Sequence, residues 1–289
     1  MNLVSYCKCS FWAAVLIAAC SRTAFAINVL IGGTPHVNDW LFDVQAKIVA
    51  TGQISGNVDV FDNSAGLPTL AQLQAYDAVL IFTDDGIVGD IGLGNTLASY
   101  VDSGGGVVQM TFSYWNTNGP GIRGLWQTGG YSVWQTGQQA SPGGLTLGTI
   151  YDPNSPILAG VTSFNGGASS YYNTVPGLNP GAVAIADWSN GAPLIAANTQ
   201  SFSGRVVGLN FYPVSSDANS TLGFWDASTD GGLLMANALN FAAAPEPSAA
   251  ILAIAGMLCV LASRAKTWRS RHALARTVRA KVEMRSSAD

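Results

Sequence analysis

The chain has 289 residues, a formal net charge of −4, 48% hydrophobic residues and only 10% charged ones. Soluble proteins average about 25% charged residues, so this composition excludes a disordered acidic chain, a coiled coil and a nucleic-acid binder. Between residues 27 and 244 three basic residues (Lys47, Arg123, Arg205) face fourteen Asp and no Glu, a net charge of −11. Such a body repels phosphate backbones, which are bound by Lys and Arg that displace counterions.

Residues 1–26 open with a short polar stretch carrying Lys8, continue through an apolar run from Phe11 to Cys20, and end in Ala24-Phe25-Ala26. This pattern predicts a secretory signal peptide cut before Ile27, with the secretion machinery and a signal peptidase as partners. Ile17-Ala18-Ala19-Cys20 offers a competing cut that would leave a lipidated Cys20. An apolar strand that begins at Ile27, directly after the small-x-small site, favours the first. Cys7, Cys9 and Cys20 fall in this leader and Cys259 in the apolar tail, so the mature body has neither a disulfide nor a thiol nucleophile.

From Ile27 the chain alternates apolar runs with amphipathic segments. Ile27 to Ile31, Val58 to Phe61, Ala78 to Phe82 and Gly106 to Phe112 read as strands. Leu41, Val44 and Ile48, and then Leu93, Leu97, Tyr100 and Val101, have helical spacing. Strand and helix in alternation predict an α/β fold, a doubly wound and mostly parallel flavodoxin-like sheet with helices on both faces. Residues 113–144 are rich in Gly and aromatic residues, and Trp126-Gln127-Thr128-Gly129 recurs as Trp134-Gln135-Thr136-Gly137. That echo predicts a hairpin-like insertion. Regular structure resumes at Pro156 to Val161, Ala182 to Ala186, Pro193 to Ala197 and Arg205 to Phe211, and a helix carrying Leu234, Ala238 and Phe241 closes the body near residue 244.

Pro245-Glu246-Pro247 is followed by an apolar run over 249–262 and by Arg264, Lys266, Arg269 and Arg271. Fourteen residues reach about 21 Å as a helix, short of a hydrocarbon core of about 30 Å unless the flanks extend the span. Residues 245–263 are therefore read as a motif plus a short transmembrane segment, and 264–289 as a basic cytoplasmic tail. This order resembles the PEP-CTERM sorting signal of exported Gram-negative surface proteins. The resemblance implies an exosortase-like processing enzyme as partner, with the body ending outside the inner membrane, membrane-anchored and then at the cell surface or in the extracellular matrix. The tail departs from that family by running 26 residues past Ser263. A permanent single-pass anchor would give the same topology.

The body carries a second resemblance. Asn154-Ser155-Pro156-Ile157-Leu158-Ala159-Gly160-Val161, Ala192-Pro193-Leu194-Ile195 with Gly204-Arg205-Val206-Val207-Gly208-Leu209, and Leu233 to Leu239 look like the ThuA-like branch of the class I glutamine amidotransferase-like fold. Tyr76 to Ile81 with Leu97 to Gly106 fits the same family's central strand, helix and Gly turn. Its amidotransferase chemistry does not transfer, because the matching turn Met110-Thr111-Phe112-Ser113-Tyr114 has no Cys and His36 is the only His of the body, early rather than late. Ser113 with His36 is a conceivable pair.

Ligands of open α/β sheets sit beyond the carboxyl ends of the strands. That rim gathers His36, Asn38, Asp39 and Trp40, then Asp84 and Asp85, then Ser113, Tyr114 and Trp115, with Asn210 and Tyr212 from a late strand. The plain readings are a helix N-cap at Asn38 or Asp39, a turn at Asp84-Asp85-Gly86 and a core ring at Trp40. Asp84, Asp85 and Asp90 match no calcium-loop spacing, and neither metal nor cofactor is expected. Trp115, Trp126, Tyr131 and Trp134, beside Gln, Asn and Thr and away from cations, read as a platform for neutral sugars or as a satellite core. Two functions follow: a noncatalytic surface domain binding neutral polysaccharide, or a ThuA-like carbohydrate-active enzyme using His36 with Asp84 or Asp85 as acid and base.

Overall fold

Runs such as Ala78 to Thr83 carry no charge on either face, and a strand of that kind is stable only where both faces are covered. A computed structural model describes residues 26–87, 89–115 and 120–243. Residues 1–25 of the expected signal segment, with Cys20, the Pro245-Glu246-Pro247 motif, the 249–262 run and the basic tail with Arg264 and Lys266 lie outside the described residues. No helix among the described residues is long and apolar enough to cross a membrane.

The first half is built as expected: β1 (Val29–Thr34), α1 (Asp39–Ala50), β2 (Val58–Asp62), α2 (Leu70–Leu73), β3 (Ala78–Thr83), α3 (Asp90–Asp102) and β4 (Gly106–Met110). The second half adds α4 (Leu125–Thr128), β5 (Gln138–Ala140), β6 (Leu147–Ile150), β7 (Tyr172–Thr174), β8 (Ala182–Trp188), β9 (Pro193–Asn198), β10 (Val206–Leu209) and α5 (Gly231–Ala243). Eight strands form one sheet in the order β2-β1-β3-β4-β10-β9-β8-β6. From β2 to β10 the pairing is parallel, and from β10 to β6 it is antiparallel. The four-residue connection between β8 and β9 is too short for a parallel crossover, which needs a dozen residues or more.

The two faces carry separate cores. On one face Ile31, Leu80, Phe82, Val108 and Leu209 pack with α1 and α5 through Val44, Ile48, Leu234 and Ala238. On the other, Leu30, Val79, Ile81, Val107 and Val206 pack with α3 through Leu93, Leu97 and Val101. The sheet is thus covered on both sides, and the chain is an α/β protein with a mostly parallel, doubly wound sheet. Every residue of β1, β3 and β4 is buried.

Several local expectations are corrected. The fourth strand stops at Met110 because the chain turns there, Ser113 N–H donating to Met110 O at 3.1 Å. Pro156 to Val161 is no strand or long helix but a single 3-10 turn over Pro156–Leu158. Asn237 fastens that turn, donating its Nδ2 to Ile157 O and Ala159 O at 3.1 and 2.8 Å. The echoed Trp-Gln-Thr-Gly units form no hairpin. The first is the helical turn α4, whereas the second meets Leu178 in an isolated bridge, and the antiparallel pair of this region is β5 with β7.

Candidate functional site

The order β2-β1-β3 means that the chain leaves β1 toward one edge and returns on the other side of it, so the crevice beyond β1 and β3 is the topological switch point. Loop positions there are fixed by backbone. Asp84 and Asp85 N–H groups both donate to Thr34 O, at 3.0 and 2.9 Å, and Thr34 Oγ1 donates to Asp85 O at 2.7 Å. The loop after β3 is thereby tied to the end of β1.

A crevice of about 210 Å³ opens at this point, lined by His36, Trp40, Asp84, Phe112, Gln139, Tyr171, Tyr212, Leu222 and Phe224. Its walls are aromatic. Tyr212 stands at its centre, stacked on Phe112 at 5.4 Å, edge-on to Trp40 at 6.4 Å and tilted on Phe224 at 5.2 Å. Tyr171 closes one side, 5.7 Å from Phe112 and 6.2 Å from Phe224. Trp40 is the core ring expected of it, buried at the start of α1. Asn38 occupies the N-cap position of that helix without a side-chain capping bond.

Two kinds of polar group enter the crevice. Tyr212 donates its hydroxyl to Asp84 Oδ2 at 2.8 Å. Burial pushes the Asp84 carboxyl above its ordinary value, with the Tyr212 hydroxyl and the His36 backbone N–H pulling it back and Asp85 adding to the rise. Burial and the neighbouring Asp84 carry the Tyr212 phenol well above its usual range. His36 Nδ1 lies 3.3 Å from Asp85 Oδ1, with both side chains largely exposed at 69% and 56%.

The raised Asp84 pKa has a measurable consequence. Below its ordinary value of 3.8 the carboxyl is protonated folded or unfolded. As pH rises through the folded value the buried group resists ionisation, and the folded state loses stability relative to the unfolded one. Asp84→Asn removes that charge and keeps an acceptor for Tyr212. Thermal unfolding should show little difference between variant and wild type near pH 3 and a variant that melts higher at pH 7; a variant that melts lower at pH 7 would contradict this.

The structure does not assemble the other candidates as the sequence reading placed them. Ser113 is 1% exposed, donates its Oγ to Met110 O, and lines a cleft on the far face of the sheet from His36. It is no partner for that His. Asp90 is paired with Arg123 and accepts from Ile91 N–H, and among the described residues no three His, Cys, Asp or Glu gather as a metal site. Asn210 is fully buried and committed. It accepts from Thr111 Oγ1 at 3.0 Å and Asn173 N–H at 2.8 Å, and donates to Asn173 O and Pro193 O, both at 2.9 Å. Its amide joins three segments and has nothing left for a ligand.

The expected aromatic platform is also corrected. The sheet divides it: Trp115 packs on the α1 and α5 face, whereas Trp126, Tyr131 and Trp134 belong to the α3 face. Trp126 and Trp134 are 0% and 1% exposed. Trp126 donates its indole N–H to Gln109 Oε1 at 3.0 Å. Gly208 admits the Trp134 ring, since a Cβ there would lie 2.5 Å from it, and Gly94 admits the backbone that leads into α4, since a Cβ there would lie 1.7 Å from Arg123 O. Tyr131 stacks between Trp126 and Phe202, at 5.8 and 4.2 Å, and donates to Asp102 Oδ2 at 2.8 Å. Burial and then Asp102 push its phenol to about 12. These rings are a satellite core.

Sequence reasoning missed Phe112, Tyr171, Phe224, Leu222 and Gln139 in the crevice. The adjoining aromatic pairs Tyr171-Tyr172 and Phe224-Trp225, each set in Gly- and Ser-rich chain, are the signal that could have found them.

No protein-family model and no curated protein matches the chain. Among solved structures, a glutamine amidotransferase of Thermotoga maritima is similar over 66% of this chain and 78% of its own, at 11% identity and a TM-score of 0.42. A ThuA-like protein of Bacteroides uniformis is similar over 75% of this chain and 91% of its own, at 13% identity and a TM-score of 0.52. The latter likeness is one of architecture: the body of this chain has the fold of that ThuA-like protein.

Proposed function

We propose that residues 27–244 form an exported, noncatalytic domain that binds neutral polysaccharide of the cell envelope or matrix in the switch-point crevice. The observation that carries this reading is the wall of Trp40, Phe112, Tyr171, Tyr212 and Phe224 around Asp84 and His36. Aromatic rings offer apolar faces to the C–H surfaces of sugars, and a carboxylate accepts from their hydroxyls. A neutral ligand suits the charge distribution. Lys47 pairs with Asp217, Arg123 with Asp90, and Arg205 lies over the Phe241 ring while donating to Phe241 O.

Export rests on the two ends of the sequence, with the secretion machinery, a signal peptidase and an exosortase-like enzyme as the partners of maturation. A reporter fused after residue 244 should be found outside the inner membrane and one fused after Asp289 inside it. A cytoplasmic reporter at 244 would overturn the exported reading.

The enzyme reading keeps one observation in its favour, since His36 lies within hydrogen-bond reach of Asp85 and shares the crevice with Asp84. Binding is preferred because that pair is largely exposed, where solvent screens it, and because Asp84 is engaged by Tyr212. The crevice itself is tested by Tyr171→Ala, which should weaken retention of the full chain on neutral polysaccharide about 2- to 10-fold with no large loss of stability. Unchanged retention would move the site elsewhere.

A further inference from the structure

A second cleft of about 210 Å³ lies on the α3 face, between the end of β4 and the Gly-rich segment, and shares no residue with the crevice. Its chemistry is neutral. Gln109, Gln127, Ser132, Gln135, Thr136 and Asn179 line it with Trp126 and Trp134. Its titratable group is the Tyr114 phenol, which burial raises well above the ordinary value.

Two of the lining amides are held in place. Gln109 donates its Nε2 to Ser113 O at 3.2 Å and accepts from the Trp126 indole. Asn179 donates its Nδ2 to Ser132 O at 2.8 Å and Trp134 O at 3.1 Å. Ser132 differs: it is 5% exposed, and its Oγ has no hydrogen-bond partner among the described residues. A buried hydroxyl without a partner is a rare feature of folded proteins and calls for something that completes it.

We infer that this cleft is a second binding site, for one neutral, hydroxyl-rich ring of hexose size, anchored at Ser132 Oγ and walled by Gln127, Gln135 and Thr136. Its volume is far above the roughly 30 Å³ that one water occupies and below the roughly 300–1,000 Å³ of sites for larger ligands. The neutral lining sets the selectivity. A carboxylate or ammonium group would be desolvated there with no counter-charge to meet it. The inference stands apart from the crevice reading.

The test is a titration of the full chain in detergent with glucose, galactose and mannose, read by tryptophan fluorescence, with glucuronate and glucosamine as charged probes. Saturable binding of at least one neutral hexose and none of the charged probes is expected. Ser132→Ala removes only the hydroxyl, so it should keep the melting temperature and weaken the affinity about 2- to 10-fold. Gln135→Ala repeats the test from an exposed lining position, and Val183→Ala, an exposed position that lines neither cleft, should leave the signal unchanged. The inference is overturned if no neutral hexose gives a saturable response, as an ordered water satisfying Ser132 would predict. It also fails if both cleft variants bind as wild type does.

Discussion

Trp126→Ala should destabilise the protein by about 3–5 kcal/mol in denaturant unfolding, the range for emptying a buried large aromatic site. Its indole is fully buried against the α3 face. Truncation would leave a cavity and would also strip Gln109 Oε1 of the indole N–H it accepts, an added penalty because that amide is itself 1% exposed. Trp134→Ala should fall in the same range, since its ring lies directly on β10 at Gly208. Losses below 1 kcal/mol at both positions would mean that the rings are exposed in solution, and would restore the aromatic platform.

Leu80→Ala is the second large effect, about 2–5 kcal/mol. Leu80 is 0% exposed in β3, paired with Ile31 on one side and Val108 on the other, and no helix can slide into the space it leaves without disturbing the sheet. Val183→Ala is its control. Val183 lies on β8 at 64% exposure, and a surface change there should stay within about 0.5 kcal/mol of wild type. Equal effects at the two positions would contradict the central placement of β3.

What was legible in the sequence follows from which constraints are local. Strands buried on both faces leave uncharged apolar runs, so β1, β3 and β4 could be read directly, and α1 and α3 followed from their spacing. The switch-point rule then placed His36, Asp84, Asp85 and Tyr212 at one rim, because strand order alone brings those loops together. The fate of Trp126 and Trp134 depended on distant residues. Gly208 lies more than seventy positions from Trp134 in sequence, and nothing near the ring announces that a strand there lacks a side chain. Asn210 misled for a similar reason: a polar residue at a strand end looks available until Asn173, Thr111 and Pro193 are folded around its amide. Likewise Tyr171 and Phe224 come from irregular segments whose place over the crevice no periodicity encodes.

On the proposed reading, the crevice binds neutral glycan without turning it over. Incubation of the full chain with a panel of neutral polysaccharides, scoring both bound protein and newly formed reducing ends, tests it directly. Retention on at least one polysaccharide, weakened in Tyr171→Ala and accompanied by no new reducing ends, is the expected result. Reducing ends released by the wild type and absent in His36→Ala would instead establish an enzyme, and retention on none of the panel would contradict the binding site itself.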